Sequence, residues 1–131
     1  MEKKINVLIT ERNSHVRDYL KREMEAEGYV VHLAENGHQM LKYVYHSDPL
    51  DVIIMDPDLL DADVPGTLKV LKDRIPPVIV VFHTFEQDWE EYGKILDDVV
   101  FVEKRGNSIE GLKQVMANMF NAKGKNPPDR P

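Results

Sequence analysis

The sequence predicts an α/β domain built on a parallel five-stranded sheet, and three observations lead to this prediction. Short segments rich in valine and isoleucine alternate five times with segments in which apolar residues recur at helical spacing. Four of the five strand-like segments are almost continuously apolar, as parallel strands covered on both faces tend to be. With 131 residues, of which 42% are hydrophobic, the chain suits one domain with one hydrophobic core.

Five strands are predicted from runs of β-branched residues. The second run mixes polar and apolar residues, so it suits an edge of the sheet better than the centre. In chain order the predicted strands are Ile5–Thr10, Tyr29–Ala34, Asp51–Asp56, Val78–Phe82 and Val99–Glu103.

Five helices are predicted between and after these strands. Asn13 or Ser14 can cap the first, and Gly28 follows it at a position that often needs a positive φ. The second helix begins after Asn36. Two further helices cover Gly66–Arg74 and Glu86–Leu96, and the last starts at a capping box formed by Asn107 and Glu110.

Alternating strands and helices with right-handed crossovers predict helices on both faces of the sheet. Five such units indicate the flavodoxin-like (βα)5 three-layer sandwich with strand order 2-1-3-4-5. We predict that residues 1–121 form this domain. Residues 122–131 are rich in proline, glycine and charge, which predicts a disordered tail.

Charge and composition exclude several classes of function. The formal net charge is −6, with 23 acidic and 17 basic residues, which argues against a nucleic-acid surface. No apolar stretch approaches the roughly 20 residues that a membrane span needs. The chain has no cysteine, in keeping with a reducing compartment. We therefore expect a cytoplasmic protein that binds other proteins or cations.

Two charged residues end predicted strands at what would be the same edge of the sheet. Asp56 ends the third strand, and Lys104 follows the fifth. A carboxylate there can attack phosphorus, provided that nearby cations neutralise the developing charge. Either residue alone is more simply explained as a helix cap or a solvated side chain. Together, at one edge, they indicate a site for phosphoryl transfer.

The motifs around these residues resemble those of response-regulator receiver domains over about residues 4–121. Val7–Arg12 resembles that family's first strand with its acid pair, and Ala34–Gly37 resembles the start of its second helix. Asp51–Asp56 is similar to the strand that carries the phosphorylated aspartate, and Glu103-Lys104 to the segment that carries the conserved lysine.

The resemblance implies a domain of phosphorelay signal transduction that accepts a phosphoryl group from a histidine kinase or phosphotransfer protein. Asp56 would be the phosphoacceptor, and Lys104 would contact the phosphoryl group. Glu11 and Asp56 would bind magnesium together with the backbone carbonyl of Asp58, and Phe101 would be the aromatic switch residue. Catalysis would be limited to phosphorylation and dephosphorylation of Asp56 itself.

A downstream protein partner is also implied by the resemblance. It would bind the face formed by the fourth helix, the fifth strand and the last helix, where Trp89 and Tyr92 either pack in the core or flank the partner. The five histidines lack the spacing of metal ligands, so we expect them at the surface, with His83 near the edge of the site.

Three positions depart from the family pattern. Arg12 stands in place of the second acid. Phe82 stands where the family has a serine or threonine that contacts the phosphoryl group, and phenylalanine cannot make that hydrogen bond. Thr84 would reach the site only if a local bulge shifted the register. These departures leave an alternative function open, that of a phosphorylation-independent pseudo-receiver that acts as a protein-interaction module.

Arg12 bears most directly on magnesium. A guanidinium cannot ligate the ion and stays charged at physiological pH, so we expect metal binding to be weakened or lost. Three other interpretations stay open at the level of sequence. Arg12 could pair with Asp56 directly, the side chain of Asp58 could supply the missing acid, or Arg12 could simply point to solvent.

Overall fold

A computed structural model describes residues 4–46, 49–58, 63–84, 99–106 and 108–124 of the chain. Its five strands are β1 (Asn6–Thr10), β2 (Val30–Ala34), β3 (Val52–Met55), β4 (Ile79–Thr84) and β5 (Val100–Glu103). The helices in the described ranges are α1 (Ser14–Ala26), α2 (Gly37–Tyr45), α3 (Val64–Asp73) and α4 (Ser108–Gly124). The predicted helix Glu86–Leu96, with Trp89 and Tyr92, lies outside the described residues, and so does Asn107.

The sheet is parallel throughout, with strand order β2-β1-β3-β4-β5. This order confirms the predicted flavodoxin-like topology. β2 lies at one edge of the sheet, as its mixed composition indicated, and β1 and β3 are neighbours at the centre. Since all five strands run in the same direction, their carboxyl ends meet at one edge of the sheet.

Helices cover both faces of the sheet because successive strand residues point to opposite sides. On one face, α1 and α4 pack through Leu20, Met24, Leu112 and Met116 against strand residues such as Ile54. On the other face, α2 and α3 pack through residues that include Met40, Val44, Leu68 and Leu71. The three layers predicted from sequence are therefore present, and each face of the sheet has its own core.

Most helix boundaries follow from capping residues. The side chains of Asn13 and Asn36 accept hydrogen bonds from the backbone at the starts of α1 and α2. The predicted cap Asn13 and the predicted start of α2 after Asn36 are thus confirmed. α3 begins at Val64, two residues before the predicted start, because the Asp63 side chain caps it by accepting from the Gly66 N–H at 3.2 Å.

None of the described helices is long and apolar enough to cross a membrane.

Two elements are longer than the sequence predicted. β4 continues past Phe82 through His83 and Thr84, which pair with Val102 and Glu103 of β5. α4 runs to Gly124, so residues 122–124 belong to a helix and not to the predicted tail. Alanine and lysine at 122 and 123 are good helix formers, which explains the extension. Residues 125–131 lie outside the described part of the chain.

We expect Gly28→Ala to destabilise the domain by about 1–2 kcal/mol, because Gly28 follows α1 with φ of 97°, where a Cβ is strained. The free energy of unfolding in urea would measure this loss. Gly106→Ala is the matched control, since Gly106 lies outside the left-handed region and an added Cβ there meets no atom within 4 Å. Equal losses in the two variants would contradict the conformational explanation.

Candidate phosphoacceptor site

Three charged side chains meet at the carboxyl edge of the sheet. Glu11, Asp56 and Lys104 each directly follow a strand, namely β1, β3 and β5. Lys104 Nζ lies 2.7 Å from Asp56 Oδ2 and 3.1 Å from Glu11 Oε1. The structure thus brings together three of the predicted site residues: Asp56, Lys104 and Glu11.

The two carboxylates are buried although they end strands. Glu11 is 1% exposed and Asp56 is 4% exposed. Two negative charges in so little solvent require a cation, and the Lys104 ammonium supplies one by bridging them. Two carboxylates and one ammonium leave this cluster with a net charge of minus one.

Backbone hydrogen bonds fix Asp56 in place. Asp56 Oδ1 accepts from the Asp58 N–H at 2.9 Å. The Asp56 N–H lies 3.2 Å from the Thr10 carbonyl oxygen and 3.3 Å from Thr10 Oγ1. Thr10 is buried and was not predicted as a site residue, because a threonine that ends an apolar strand looks like any other strand residue.

Glu11 is held by its own chain and by Lys104. Its Oε2 accepts from the Asn13 N–H at 3.2 Å and from Lys104 Nζ at 3.4 Å. Its Oε1 is buried and lies 3.1 Å from Lys104 Nζ. Lys104 therefore contacts both oxygens of this carboxylate.

The pKa of Lys104 is raised above its ordinary value of 10.5. Burial alone would lower this pKa, but the hydrogen bond and charge of Asp56, with a smaller contribution from Glu11, outweigh that effect. Lys104 is therefore a stable ammonium at neutral pH.

Arg12 lies at the rim of the site and faces Asp58. Its Nη2 lies 3.8 Å from Asp58 Oδ2, and the two side chains are 52% and 81% exposed. In the described part of the chain, Arg12 therefore pairs with Asp58, and the interpretation that it pairs directly with Asp56 finds no support.

Arg17, which the sequence did not point to, donates from Nη1 to the carbonyls of Glu11 at 2.8 Å and Arg12 at 3.4 Å.

The donor set does not fit a magnesium ion well. Lys104 bridges the two buried carboxylates, and the third acid, Asp58, directs its exposed carboxylate toward Arg12. Within the described residues, no group of three or more acidic or histidine side chains is placed to hold a metal. Magnesium prefers an octahedron of oxygen ligands, and an ammonium between the carboxylates competes for that place.

Phe82 and Phe101 form a stacked pair within the core. Their ring centroids are 5.5 Å apart with an interplanar angle of 28°. Phe82 is fully buried in the core that β3 and β4 share with α2 and α3. Phe101, the predicted switch residue, therefore packs directly on Phe82.

Thr84 lies at the end of β4 in regular register, so the ladder contains no bulge between Val81 and Thr84. The bulge that would have brought Thr84 into the site is therefore not formed. Thr84 is 2% exposed, and its carbonyl accepts the Lys104 N–H at 2.9 Å. It contributes to the site by fixing the main chain of Lys104.

His83 is buried, which corrects the expectation that all five histidines lie at the surface. It is 3% exposed, and its Nε2 lies 2.8 Å from Ser108 Oγ at the start of α4. Burial lowers the pKa of His83 to about 4; the charge of Lys104 adds to this and the charge of Asp56 opposes it. His83 was misassigned because β4 extends past the last apolar residue of its run.

A family model described as the response regulator receiver domain matches residues 7–115. This match, together with the fold, defines the protein as a receiver domain of two-component signalling. Since this match covers most of the chain, the chain belongs to that family.

A curated relative supports the same assignment. The DNA-binding transcriptional regulator NtrC of Proteus hauseri is 29% identical over 83 residues, or 63% of this chain. The match spans only 17% of the length of that protein.

Solved structures confirm the fold. The chemotaxis response regulator CheY4 of Vibrio cholerae matches with a TM-score of 0.74 and 19% identity, over 87% of this chain and 98% of that one. A two-component response regulator from Clostridium difficile matches with a TM-score of 0.75 and 19% identity, over 92% and 100% of the two chains. The response regulator TrrA of Thermotoga maritima, in complex with Mg²⁺ and BeF, matches with a TM-score of 0.73 and 20% identity, over 88% and 98%.

Proposed function

We propose that Asp56 accepts a phosphoryl group from the phosphohistidine of a histidine kinase or phosphotransfer protein, and that the domain then signals through protein contacts. The observation that carries this proposal is the buried cluster in which Lys104 Nζ lies 2.7 Å from Asp56 Oδ2. Membership of the receiver family supports it independently.

The cluster and the phosphorylated donor supply the reacting groups of the transfer. An electron pair of an Asp56 carboxylate oxygen forms the new P–O bond. The P–N bond of the phosphohistidine breaks, and its electron pair returns to the imidazole nitrogen, which takes up a proton from water. The product is an acyl phosphate on Asp56 and a free histidine on the donor.

Lys104 supports this reaction electrostatically. Its ammonium is already in place beside the acceptor oxygen, so it can balance charge on the phosphoryl oxygens without reorganisation. The Asp58 N–H, at 2.9 Å from Asp56 Oδ1, holds the carboxylate in one orientation during attack. Each carboxylate oxygen has two lone pairs, so accepting one hydrogen bond leaves an electron pair for phosphorus.

The downstream partner is proposed to bind the surface that β5 and α4 form with the predicted helix Glu86–Leu96. The structure of that helix lies outside the described residues, so this part of the proposal rests on the family pattern alone.

Phosphorylation can be tested with phosphoramidate, a small donor with the same type of P–N bond. We expect intact-mass spectrometry to detect one phosphoryl adduct on the wild-type protein, in MgCl₂ or in EDTA. Asp56→Asn should abolish it, because an amide oxygen is a far weaker nucleophile than a carboxylate.

Asp73→Asn is the matched control, since Asp73 is an exposed carboxylate at the opposite end of the strands, where α3 ends. It should leave the adduct unchanged. If the wild-type protein forms no adduct under any condition, Asp56 is not an acceptor and the pseudo-receiver alternative becomes the better description. An adduct that survives in Asp56→Asn would move the acceptor to another residue.

A further inference from the structure

We propose that Arg12 contacts the phosphoryl group during transfer to Asp56 and supplies positive charge in place of a divalent metal. This inference rests on the proposed function of Asp56. It concerns a residue of this chain that departs from the family pattern, and it follows from the charges and contacts at the rim of the site.

The site carries less negative charge than a site with three clustered carboxylates, so it needs a metal cation less. Glu11, Asp56 and Lys104 together carry a net charge of minus one, and Lys104 contacts both carboxylates. Arg12 and Asp58 form a neutral pair beside them. Movement of the Arg12 guanidinium from Asp58 to the cluster would neutralise the buried charges, and it would leave the negative charge of Asp58, whose side chain is 81% exposed, to water.

Asp58, in the loop that follows Asp56, links Arg12 to Asp56. The Asp58 N–H binds Asp56 Oδ1 at 2.9 Å, while the Asp58 carboxylate lies 3.8 Å from the Arg12 guanidinium. The same loop residue thus contacts the acceptor through its main chain and Arg12 through its side chain. A phosphoryl group on Asp56 would lie next to this loop.

The guanidinium can leave Asp58 at little cost. Both partners are exposed and the distance of 3.8 Å is long for an ion pair, so the interaction is weak. A phosphoryl group carries more charge than a carboxylate and offers oxygens that a guanidinium can bind in a bidentate manner. Arg17 holds the backbone carbonyls of Glu11 and Arg12, so the reach of Arg12 is set by its side chain alone.

The test compares the rate of phosphoryl adduct formation from phosphoramidate in EDTA and in MgCl₂. We expect the wild-type protein to react in EDTA at a rate that MgCl₂ changes little. Arg12→Gln should lower the rate in EDTA by about tenfold or more, because one charged contact to the phosphoryl oxygens is lost. Arg12→Lys, which keeps the charge, should recover part of that loss.

The matched control is Arg22→Gln. The Arg22 side chain is 71% exposed on α1, and its Nε lies 3.9 Å from the carboxylate of the neighbouring Glu23. This variant should react like the wild-type protein. Its use separates the role of Arg12 from a general effect of removing one positive charge from an acidic protein.

Metal binding gives a readout that does not depend on phosphorylation. Arg12→Asp replaces a cation by a carboxylate at the rim of an acidic site. We expect isothermal titration calorimetry to measure magnesium binding about tenfold tighter than in the wild-type protein, and adduct formation by this variant should become dependent on MgCl₂.

The outcomes distinguish this inference from the proposed function. An adduct that forms in the wild-type protein only with MgCl₂ keeps Asp56 as the acceptor and overturns the inference. An adduct that forms in EDTA at the same rate in Arg12→Gln overturns the role of Arg12. Equal magnesium affinity in wild type and Arg12→Asp also counts against it, whereas the absence of any wild-type adduct overturns both proposals.

Discussion

Lys104→Met is expected to lower the free energy of unfolding by about 2–3 kcal/mol at neutral pH and to suppress phosphorylation of Asp56. The substitution leaves Glu11 and Asp56 side by side, at 1% and 4% exposure, without their shared cation. Removal of one partner from a fully buried ion pair lowers the free energy of unfolding by more than this amount. We expect a smaller loss here because the Lys104 side chain is 22% exposed, so that water reaches part of the cluster.

The raised pKa of Lys104 determines how the stability difference between wild type and Lys104→Met changes with pH. Because the folded-state pKa of Lys104 is raised above 10.5, the lysine stabilises the fold fully below that value. Its contribution is lost as pH rises through the folded-state pKa. The gap between wild type and Lys104→Met should therefore narrow in alkaline solution.

Urea denaturation at several pH values measures both effects. Lys21→Met is the matched control, since Lys21 forms an exposed i,i+4 ion pair with Glu25 at 3.0 Å on α1. Such a pair contributes about 0.3–0.5 kcal/mol, so the control should remain close to the wild-type protein. Equal stabilities of Lys104→Met and Lys21→Met would mean that water already solvates the two carboxylates.

His83→Gln is expected to flatten the loss of stability in acid. His83 takes up a proton near pH 6.5 in the unfolded chain but only near pH 4 in the fold, where burial and the charge of Lys104 oppose it. The unfolded state therefore binds more protons, and stability falls as pH drops through this window. The difference between the two pKa values of His83 corresponds to a loss of about 3 kcal/mol in the free energy of unfolding between pH 6.5 and pH 4.

The free energy of unfolding, measured by chemical denaturation from pH 7 to pH 4, tests this prediction. Carboxylates contribute to the same loss, so the quantity of interest is the difference in slope between wild type and variant. His83→Phe, which also cannot titrate, should flatten the slope in the same way while losing the contact with Ser108. A wild-type slope in both variants would show that His83 is hydrated in the fold.

Much of the fold could be predicted from the sequence because strand and helix signals are local. Runs of valine and isoleucine gave all five strands, and Asn13, Asn36 and Gly28 marked helix ends through their own side chains or backbone. The meeting of Asp56 with Lys104 also followed, because parallel strands end at one edge. One boundary failed because polar residues continue an element, as His83 and Thr84 continue β4.

The rim of the site could not be predicted in the same way. Whether Arg12 contacts Asp56 or Asp58 depends on the rotamers of long exposed side chains, which residue spacing does not determine. The burial of His83 depends on Ser108, 25 residues away, whose hydroxyl gives the imidazole a partner. Contacts of this kind require the folded chain, because no local pattern encodes them.

Lys104 takes part in the sheet and in the site through different atoms. Its N–H extends the β4–β5 ladder to the Thr84 carbonyl at 2.9 Å, while its Nζ reaches Asp56 at the end of a four-carbon chain. Rotations along that flexible chain can move the ammonium without moving the main chain of Lys104. Under the proposed function, a phosphoryl group on Asp56 would therefore be accommodated by the side chain of Lys104, while the hydrogen bond between β4 and β5 stays intact.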